Sequence, residues 1–316
     1  MSALLDIRDL SISYGTLQAL RGASLVARAG EVIGIVGESG CGKSTLASAL
    51  IALPAAGAQV TAGEVRLQGR DILSLPEEEK RKIRGRQIAM IFQDPMTAFN
   101  PVLTLGDQLT DFQHHLPLSR AEKRANALKM LTRVGIPDPA LCLSRYVHEL
   151  SGGMRQRAAI AAALLMTPDV LIADEPTTAL DVTMEAQIIH LLRELRTDHH
   201  GAIVIVTHHL GVVGELCDRV YVMYAGQVVE EGTTDEIYHT PRHPYTAALI
   251  ACDPAHLKAH TPVLPTIPGR LPDLTDPPRG CAFAPRCAQA LAICATAPPP
   301  VAVSATQAAR CHRVTR

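Results

Sequence analysis

Residues 37–44, Gly37-Glu38-Ser39-Gly40-Cys41-Gly42-Lys43-Ser44, set three glycines, a lysine and a hydroxyl at the spacing G-x-x-x-x-G-K-[S/T]. That is the spacing of a loop that cradles phosphate. Glycines let successive backbone N–H groups converge on an anion with no Cβ in the way. Such a loop opening onto a helix adds the positive end of the helix dipole. Lys43 is then placed to reach the β- and γ-phosphates, and the Ser44 hydroxyl to ligate Mg²⁺. Far downstream, Asp174 and Glu175 end the apolar run Val170-Leu171-Ile172-Ala173. One carboxylate can hold Mg²⁺ through water, and the next can act as general base on an attacking water. A third constellation, Leu150-Ser151-Gly152-Gly153-Met154, leads into a helical run and makes a second helix start suited to an anion. One nucleotide does not need two such loops on one chain. Two chains arranged head to tail would use both, although Ser151 is also a plain helix cap in its own right.

The elements that must position these groups follow from hydrophobic pattern. Val32-Ile33-Gly34-Ile35-Val36 reads as a buried strand, and Thr45 to Ile51 as the helix after the loop. Strands are also expected over 4–14, 24–28, 63–69, 88–92, 170–173, 202–206 and 220–223, with an exposed charged helix from Pro76 to Arg86. Residues 104–165 read as mostly helical, with breaks near 135–139. Strands alternating with helices imply a mainly parallel α/β core, interrupted by a helical insertion. After about residue 240 the chain turns rich in Pro and Cys, the mark of an appended region.

Composition narrows the class. Hydrophobic residues make up 47% and charged residues 19%, so a packed core is feasible. The formal net charge of −1 gives no global reason to expect a nucleic-acid partner. Met1 to Leu10 carries Asp6, Arg8 and Asp9 and does not read as a signal peptide. No apolar run approaches the roughly 18 residues of a membrane helix, so a soluble or peripheral protein is expected. With nucleotide supplied by the cytosol, the eight cysteines are not expected to form structural disulfides.

Over residues 4–240 the chain resembles the ATP-binding-cassette (ABC) ATPases, whose motifs occur here in the family's order. The resemblance implies a RecA-like parallel sheet with an antiparallel β subdomain, a helical subdomain inserted at about 94–166, and a C-terminal extension over 241–316. It implies ATP and Mg²⁺ as ligands. Tyr14 resembles the aromatic that stacks on adenine, and Gly37, Ser39, Gly40, Cys41, Gly42, Lys43, Ser44 and Thr45 the phosphate-binding set. Gln93 resembles the residue that touches Mg²⁺ and the attacking water, joining Ser44 and Asp174 around the metal. Ser151, Gly152 and Gly153 match the signature that completes the site of a second chain, and Ala179-Leu180-Asp181 the loop that communicates across that dimer. Glu175 matches the catalytic glutamate and His208 the switch histidine. His209 stands where an acidic residue is usual. Cys41 reads as a tolerated small residue, and a thiol beside a helix N-terminus can have a lowered pKa.

Three further segments resemble the peptide and nickel importers of this family. They are Phe92 to Thr104, with Ala98-Phe99-Asn100 where Ser-Leu-Asn is more usual; His243-Pro244-Tyr245-Thr246; and Gly269 to Cys287. The resemblance implies a subunit that powers di- or oligopeptide import from the cytoplasmic face of a prokaryotic membrane. Its partners would be a second ATPase subunit (a paralogue rather than a second copy), two permease subunits and, indirectly, an extracytoplasmic binding protein. A nickel or other small-solute importer is the near alternative, and a soluble ABC ATPase the distant one. The tail spacing Cys281-x5-Cys287-x6-Cys294-x16-Cys311 suits a metal site but fits neither the usual zinc spacing nor ferredoxin runs. The resemblance adds a [4Fe–4S] cluster as the expected occupant, with zinc and free thiols left open. Such a group would lie far from the phosphate loop in sequence. Cys142, Cys217 and Cys252 read as packing residues.

Overall fold

The computed structural model describes residues 3–178, 180–198, 200–253, 265–298 and 300–314. The chain divides into two compact units, residues 1–73 with 206–316, and residues 74–205. In chain order the strands are β1 (Ala3–Tyr14), β2 (Leu17–Arg28), β3 (Val32–Val36), β4 (Ala58–Leu67), β5 (Arg70–Asp71), β6 (Ile88–Ile91), β7 (Val170–Asp174), β8 (Ala202–Thr207), β9 (Arg219–Tyr224), β10 (Gln227–Thr233), β11 (Val301–Ala302) and β12 (Ala308–Ala309). The helices are α1 (Lys43–Leu50), α2 (Glu77–Ile83), α3 (Leu105–Phe112), α4 (Arg120–Arg133), α5 (Pro139–Cys142), α6 (Gly152–Leu165), α7 (Val182–Asp198), α8 (Leu210–Leu216), α9 (Thr234–His239) and α10 (Pro244–Ala251).

The first unit carries an antiparallel sheet in the order β2-β1-β4-β5. Leu5, Ile7, Leu10 and Ile12 of β1 are all buried, a spacing that breaks strict alternation. A register shift between Ile7 and Leu10, with Asp9 at φ 45°, absorbs the extra residue and keeps all four on one face. Beside this lies a second set of strands in which β3 runs parallel to β9, β9 antiparallel to β10, and β10 antiparallel to β12. Every residue of β3 is buried, as its unbroken apolar run requires of a strand covered on both faces.

The second unit pairs β6 with β7 in parallel and packs α3, α4 and α6 beside one another. Helices α3, α4 and α6 start on side-chain caps. Thr104 Oγ1 accepts from Asp107 N–H, Ser119 and Glu122 form a reciprocal capping box, and Ser151 caps α6. Gln108, buried on α3, holds the 100–104 loop by bonding Asn100 N, Asn100 O and Leu103 O at 2.7–3.0 Å.

Two expectations from sequence fall short. β2 begins at Leu17, well before residue 24, because Gly15 and Thr16 make a tight hairpin that pairs Leu17 with Tyr14. Likewise β4 begins at Ala58, in a stretch whose Gln59 to Gly63 bury neither face and so lack the apolar run that marks the buried strands. The Pro- and Cys-rich tail is also more than an appendage, since β12 adds to the edge of β10 through Glu230–Ala309 and Glu231–Ala308.

A buried polar knot secures that junction. The Glu230 carboxylate accepts from Arg242 N–H at 2.7 Å, His243 N–H at 2.9 Å and Gln307 Nε2 at 3.1 Å. His243, 1% exposed, caps α10 by accepting Tyr245 N–H on Nδ1 at 3.0 Å. Burial lowers the His243 pKa from 6.5 to about 4. The unfolded chain therefore takes up this proton as pH falls below 6.5 while the folded chain refuses it until about 4, so this contribution to stability is lost on acidification through that window. Burial raises the Glu230 carboxyl and works in the opposite sense. The comparison that isolates the histidine is with His243→Asn, which can still cap the helix. Between pH 7 and pH 5, denaturant unfolding is expected to show wild type losing about 2 kcal/mol more stability than the variant. Equal losses would contradict a buried neutral imidazole.

Candidate nucleotide site

In the first unit the glycine loop leaves the buried end of β3 and enters α1. Gly42 sits at φ 104°, and a Cβ there would lie 2.5 Å from Ala19 O of β2. A Cβ on Gly37 would lie 2.2 Å from Met223 O of β9. Backbone, not a yielding side chain, blocks both positions. The loop closes around Lys43, which is 6% exposed; its ammonium donates to Gly37 O at 2.7 Å and Glu38 O at 3.2 Å. Ser39, Gly40 and Ser44 face solvent at the rim, with Thr45 half-buried behind them. Cys41 lies beneath the loop, 1% exposed, and its carbonyl accepts from Gly226 N–H at 2.9 Å. Burial pushes the Cys41 thiol up. This suits a small residue tolerated beneath the loop: desolvation outweighs the attraction of Lys43 and the helix start.

Tyr14 ends β1 half-buried, paired in register with Leu17 and Ala58. His208 and His209 follow β8, both exposed, with ring centroids 4.2 Å apart at 42°. His209 N–H donates to Thr207 Oγ1 at 3.0 Å, and its side chain presents His208 with an aromatic ring.

In the second unit, Asp174 ends β7 at 5% exposure. Glu175 follows at φ 46°, a left-handed conformation that is costly for a residue with a Cβ. It is held there on two sides. Gln93, just past β6, donates Nε2–H to Glu175 Oε2 at 3.0 Å, and Thr178 donates its hydroxyl to the same oxygen at 2.8 Å. The parallel pairing of β6 and β7 thus brings together Gln93 and Glu175, 82 residues apart.

Ser151 Oγ accepts Met154 N–H at 3.3 Å, so the capping role is real. Ser151 and Gly152 are also exposed, and a Cβ on Gly152 would meet nothing within 4 Å. Gln156, on the same helix, donates to Pro176 O at 2.8 Å and ties α6 to the turn after Glu175. Asp181 caps α7 by accepting Met184 N–H at 2.9 Å, while Ala179 lies outside the described residues.

The tail cysteines Cys281, Cys287, Cys294 and Cys311 line one pocket, together with Phe283 and His312. Gln289 N–H points at Cys287 Sγ and Leu291 N–H at Cys294 Sγ, each at 3.4 Å. Burial raises the thiols of Cys281 and Cys311. None of the eight cysteines forms a disulfide. Among the described residues, no group of three or more His, Cys, Asp or Glu side chains is arranged to hold a metal ion. The fold brings the four cysteines to one pocket without drawing them to one point.

A phosphate loop on a buried parallel strand, a carboxylate pair at a strand end and a glycine-led helix start define an ATP-binding-cassette ATPase. Known proteins carry the same signature. The family model described as "ABC transporter" matches residues 20–178, and that described as "Oligopeptide/dipeptide transporter, C-terminal region" matches residues 229–294. The chain is 47% identical over 300 residues to the dipeptide transport ATP-binding protein DppD of Bacillus subtilis (strain 168), covering 93% of this chain and 89% of that one. It is 47% identical over 302 residues to the oligopeptide transport ATP-binding protein OppD of Escherichia coli (strain K12), covering 94% and 89%. Among solved structures, the dimeric post-hydrolysis state of the ATP-binding cassette MJ0796 bound to ADP and Pi matches with a TM-score of 0.65 at 29% identity, covering 73% of this chain and 98% of that one. The chain belongs to the ABC transporter family and is an ABC-type ATPase. No helix among the described residues is long and apolar enough to cross a membrane.

Proposed function

We propose that this chain powers the import of di- and oligopeptides by hydrolysing ATP at the cytoplasmic face of a prokaryotic membrane. The observation that carries the cargo is the C-terminal region, which matches the oligopeptide/dipeptide transporter family and is stitched to the ATPase sheet through β12 and Glu230. Residues 1–240 form the nucleotide-binding domain on this reading, with the helical insertion at about 94–166, and residues 241–316 the extension. Tyr14 stacks on adenine. The backbone of Gly37 and of residues 39–45, with Lys43, holds the phosphates, and Ser44, Gln93 and Asp174 would hold Mg²⁺ through oxygen donors. Bound there, the ion would offset charge on the phosphates.

Glu175 takes a proton from the attacking water, and Gln93, bonded to the same carboxylate, orients it. His208 contacts the γ-phosphate. Ser151, Gly152 and Gly153 complete the site of a second ATPase chain, a paralogue, and Asp181 signals between the two; the exposure of Ser151 and Gly152 supports this. Closure of that pair would drive two permease subunits that receive peptide from an extracytoplasmic binding protein. A strain lacking this chain is expected to lose uptake of radiolabelled di- or oligopeptide, regained with the wild-type gene and not with Lys43→Ala. Unchanged peptide uptake with lost nickel uptake would move the assignment to the nickel importers.

The four tail cysteines hold an iron–sulfur cluster on this reading. Support comes from their shared pocket and from the two N–H groups aimed at Cys287 and Cys294 sulfur. Anaerobically purified protein is expected to contain iron and acid-labile sulfide. Zinc without sulfide would replace the cluster by a zinc site, and neither would leave four thiols.

A further inference from the structure

Glu38, the second residue of the phosphate loop, is gripped from four sides. Its carboxylate meets the Arg286 guanidinium in a two-point pair, Nη1 to Oε2 at 2.7 Å and Nη2 to Oε1 at 3.0 Å. Its N–H donates to the hydroxyl of Tyr245 at 2.9 Å. Its carbonyl accepts from Lys43 Nζ and from Cys41 N–H, both at 3.2 Å. The last two bonds belong to the loop itself. The first two come from residues 207 and 248 positions away, at the far end of the chain.

Both distant partners are rigid. The Arg286 side chain is 5% exposed. Its Nε donates to Pro268 O at 2.8 Å, Nη2 to Ile267 O at 3.1 Å and Nη1 to the Tyr224 hydroxyl at 3.3 Å. A planar guanidinium with its donors committed in this way has one orientation available. Tyr245 is fully buried; its ring lies 4.6 Å from that of Tyr224 and 5.4 Å from that of Phe283. Phe283 and Arg286 sit between Cys281 and Cys287, on the 3₁₀ turn that shapes the cysteine pocket. The nucleotide motifs account for Gly37, Lys43 and Ser44, and they give no role to Glu38, Tyr245 or Arg286.

The structure assigns Arg286 and Tyr245 as positioning residues for the phosphate loop, both acting through Glu38. Neither is a catalytic residue, since each reaches the nucleotide only through the loop. The bidentate pair fixes the Glu38 side chain and the tyrosine hydroxyl fixes its amide, so the first half of the loop is set before nucleotide arrives. Ordering the loop in advance removes that cost from the binding step. It acts on ground state and transition state alike, so its loss raises the nucleotide dissociation constant and KM while leaving turnover at saturation in place.

The test is titration calorimetry of the full chain with Mg-ADP, paired with turnover at saturating ATP by the chain assembled with its partner ATPase subunit. Arg286→Gln and Glu38→Gln are each expected to weaken Mg-ADP about tenfold, the scale of one charge-assisted bidentate pair. The double variant is expected to bind no more weakly than either single one, because both remove the same contact. Arg286→Lys is expected to recover part of the affinity, and turnover at saturation to stay within about twofold. Tyr245→Phe, which removes only the hydroxyl, is expected to weaken binding about threefold. Should Arg286→Gln not fold, Glu38→Gln reads the same pair from the loop side. Wild-type affinity in Glu38→Gln, or losses that add in the double variant, would overturn the assignment.

Discussion

Two backbone contacts set the terms for everything around the nucleotide loop. Ala19 O of β2 and Met223 O of β9 lie so close to Gly42 and Gly37 that neither position has room for a Cβ. The loop can therefore approach its supporting strands this closely only with glycine at both positions, and Lys43 folds back against Gly37 O and Glu38 O. The strands come from distant parts of the sequence, and β3 is locked to β9 from Ile33 to Val36. An error in either strand would be transmitted to the phosphate seat at once, because interiors packed this densely do not yield locally.

The second unit solves a different problem. Glu175 is held in a backbone conformation that ordinary residues avoid, with Gln93 and Thr178 both donating to one carboxylate oxygen. Those donors fix the orientation of the carboxylate, as a positioned general base requires. The same helix that presents Ser151 and Gly152 to solvent carries Gln156, bonded to Pro176 O directly after Glu175. A disturbance at the exposed helix start thus has a short covalent and hydrogen-bonded route to the carboxylate.

What the sequence made legible was local. The phosphate loop, its strand, the carboxylate pair and the Ser151 helix start each lie within about one element, where spacing alone carries the geometry. The Gln93–Glu175 bond was foreshadowed by family order and needed the β6–β7 pairing to become a contact. The long-range features were not legible. Nothing in the residues near Glu38 announces Arg286, 248 positions later, and a two-residue strand such as β12 is too short to show a period. The tail is far from the phosphate loop in sequence, and Arg286 and Tyr245 cross that separation by bonding Glu38. Cys41 reads from sequence as a tolerated small residue, and its burial under the loop, which raises the thiol, is a matter of packing that spacing does not show.

ATP turnover rests on a division of labour between the loop that binds nucleotide and the glutamate that activates water. Removing only the basicity of Glu175 should separate the two. The direct measurement is ATP binding and ATP turnover by Glu175→Gln alongside wild type. The account predicts near-normal ATP affinity, a dimer that persists with ATP bound, and hydrolysis slowed at least about a hundredfold, the scale of a lost general base. Turnover close to wild type would contradict it.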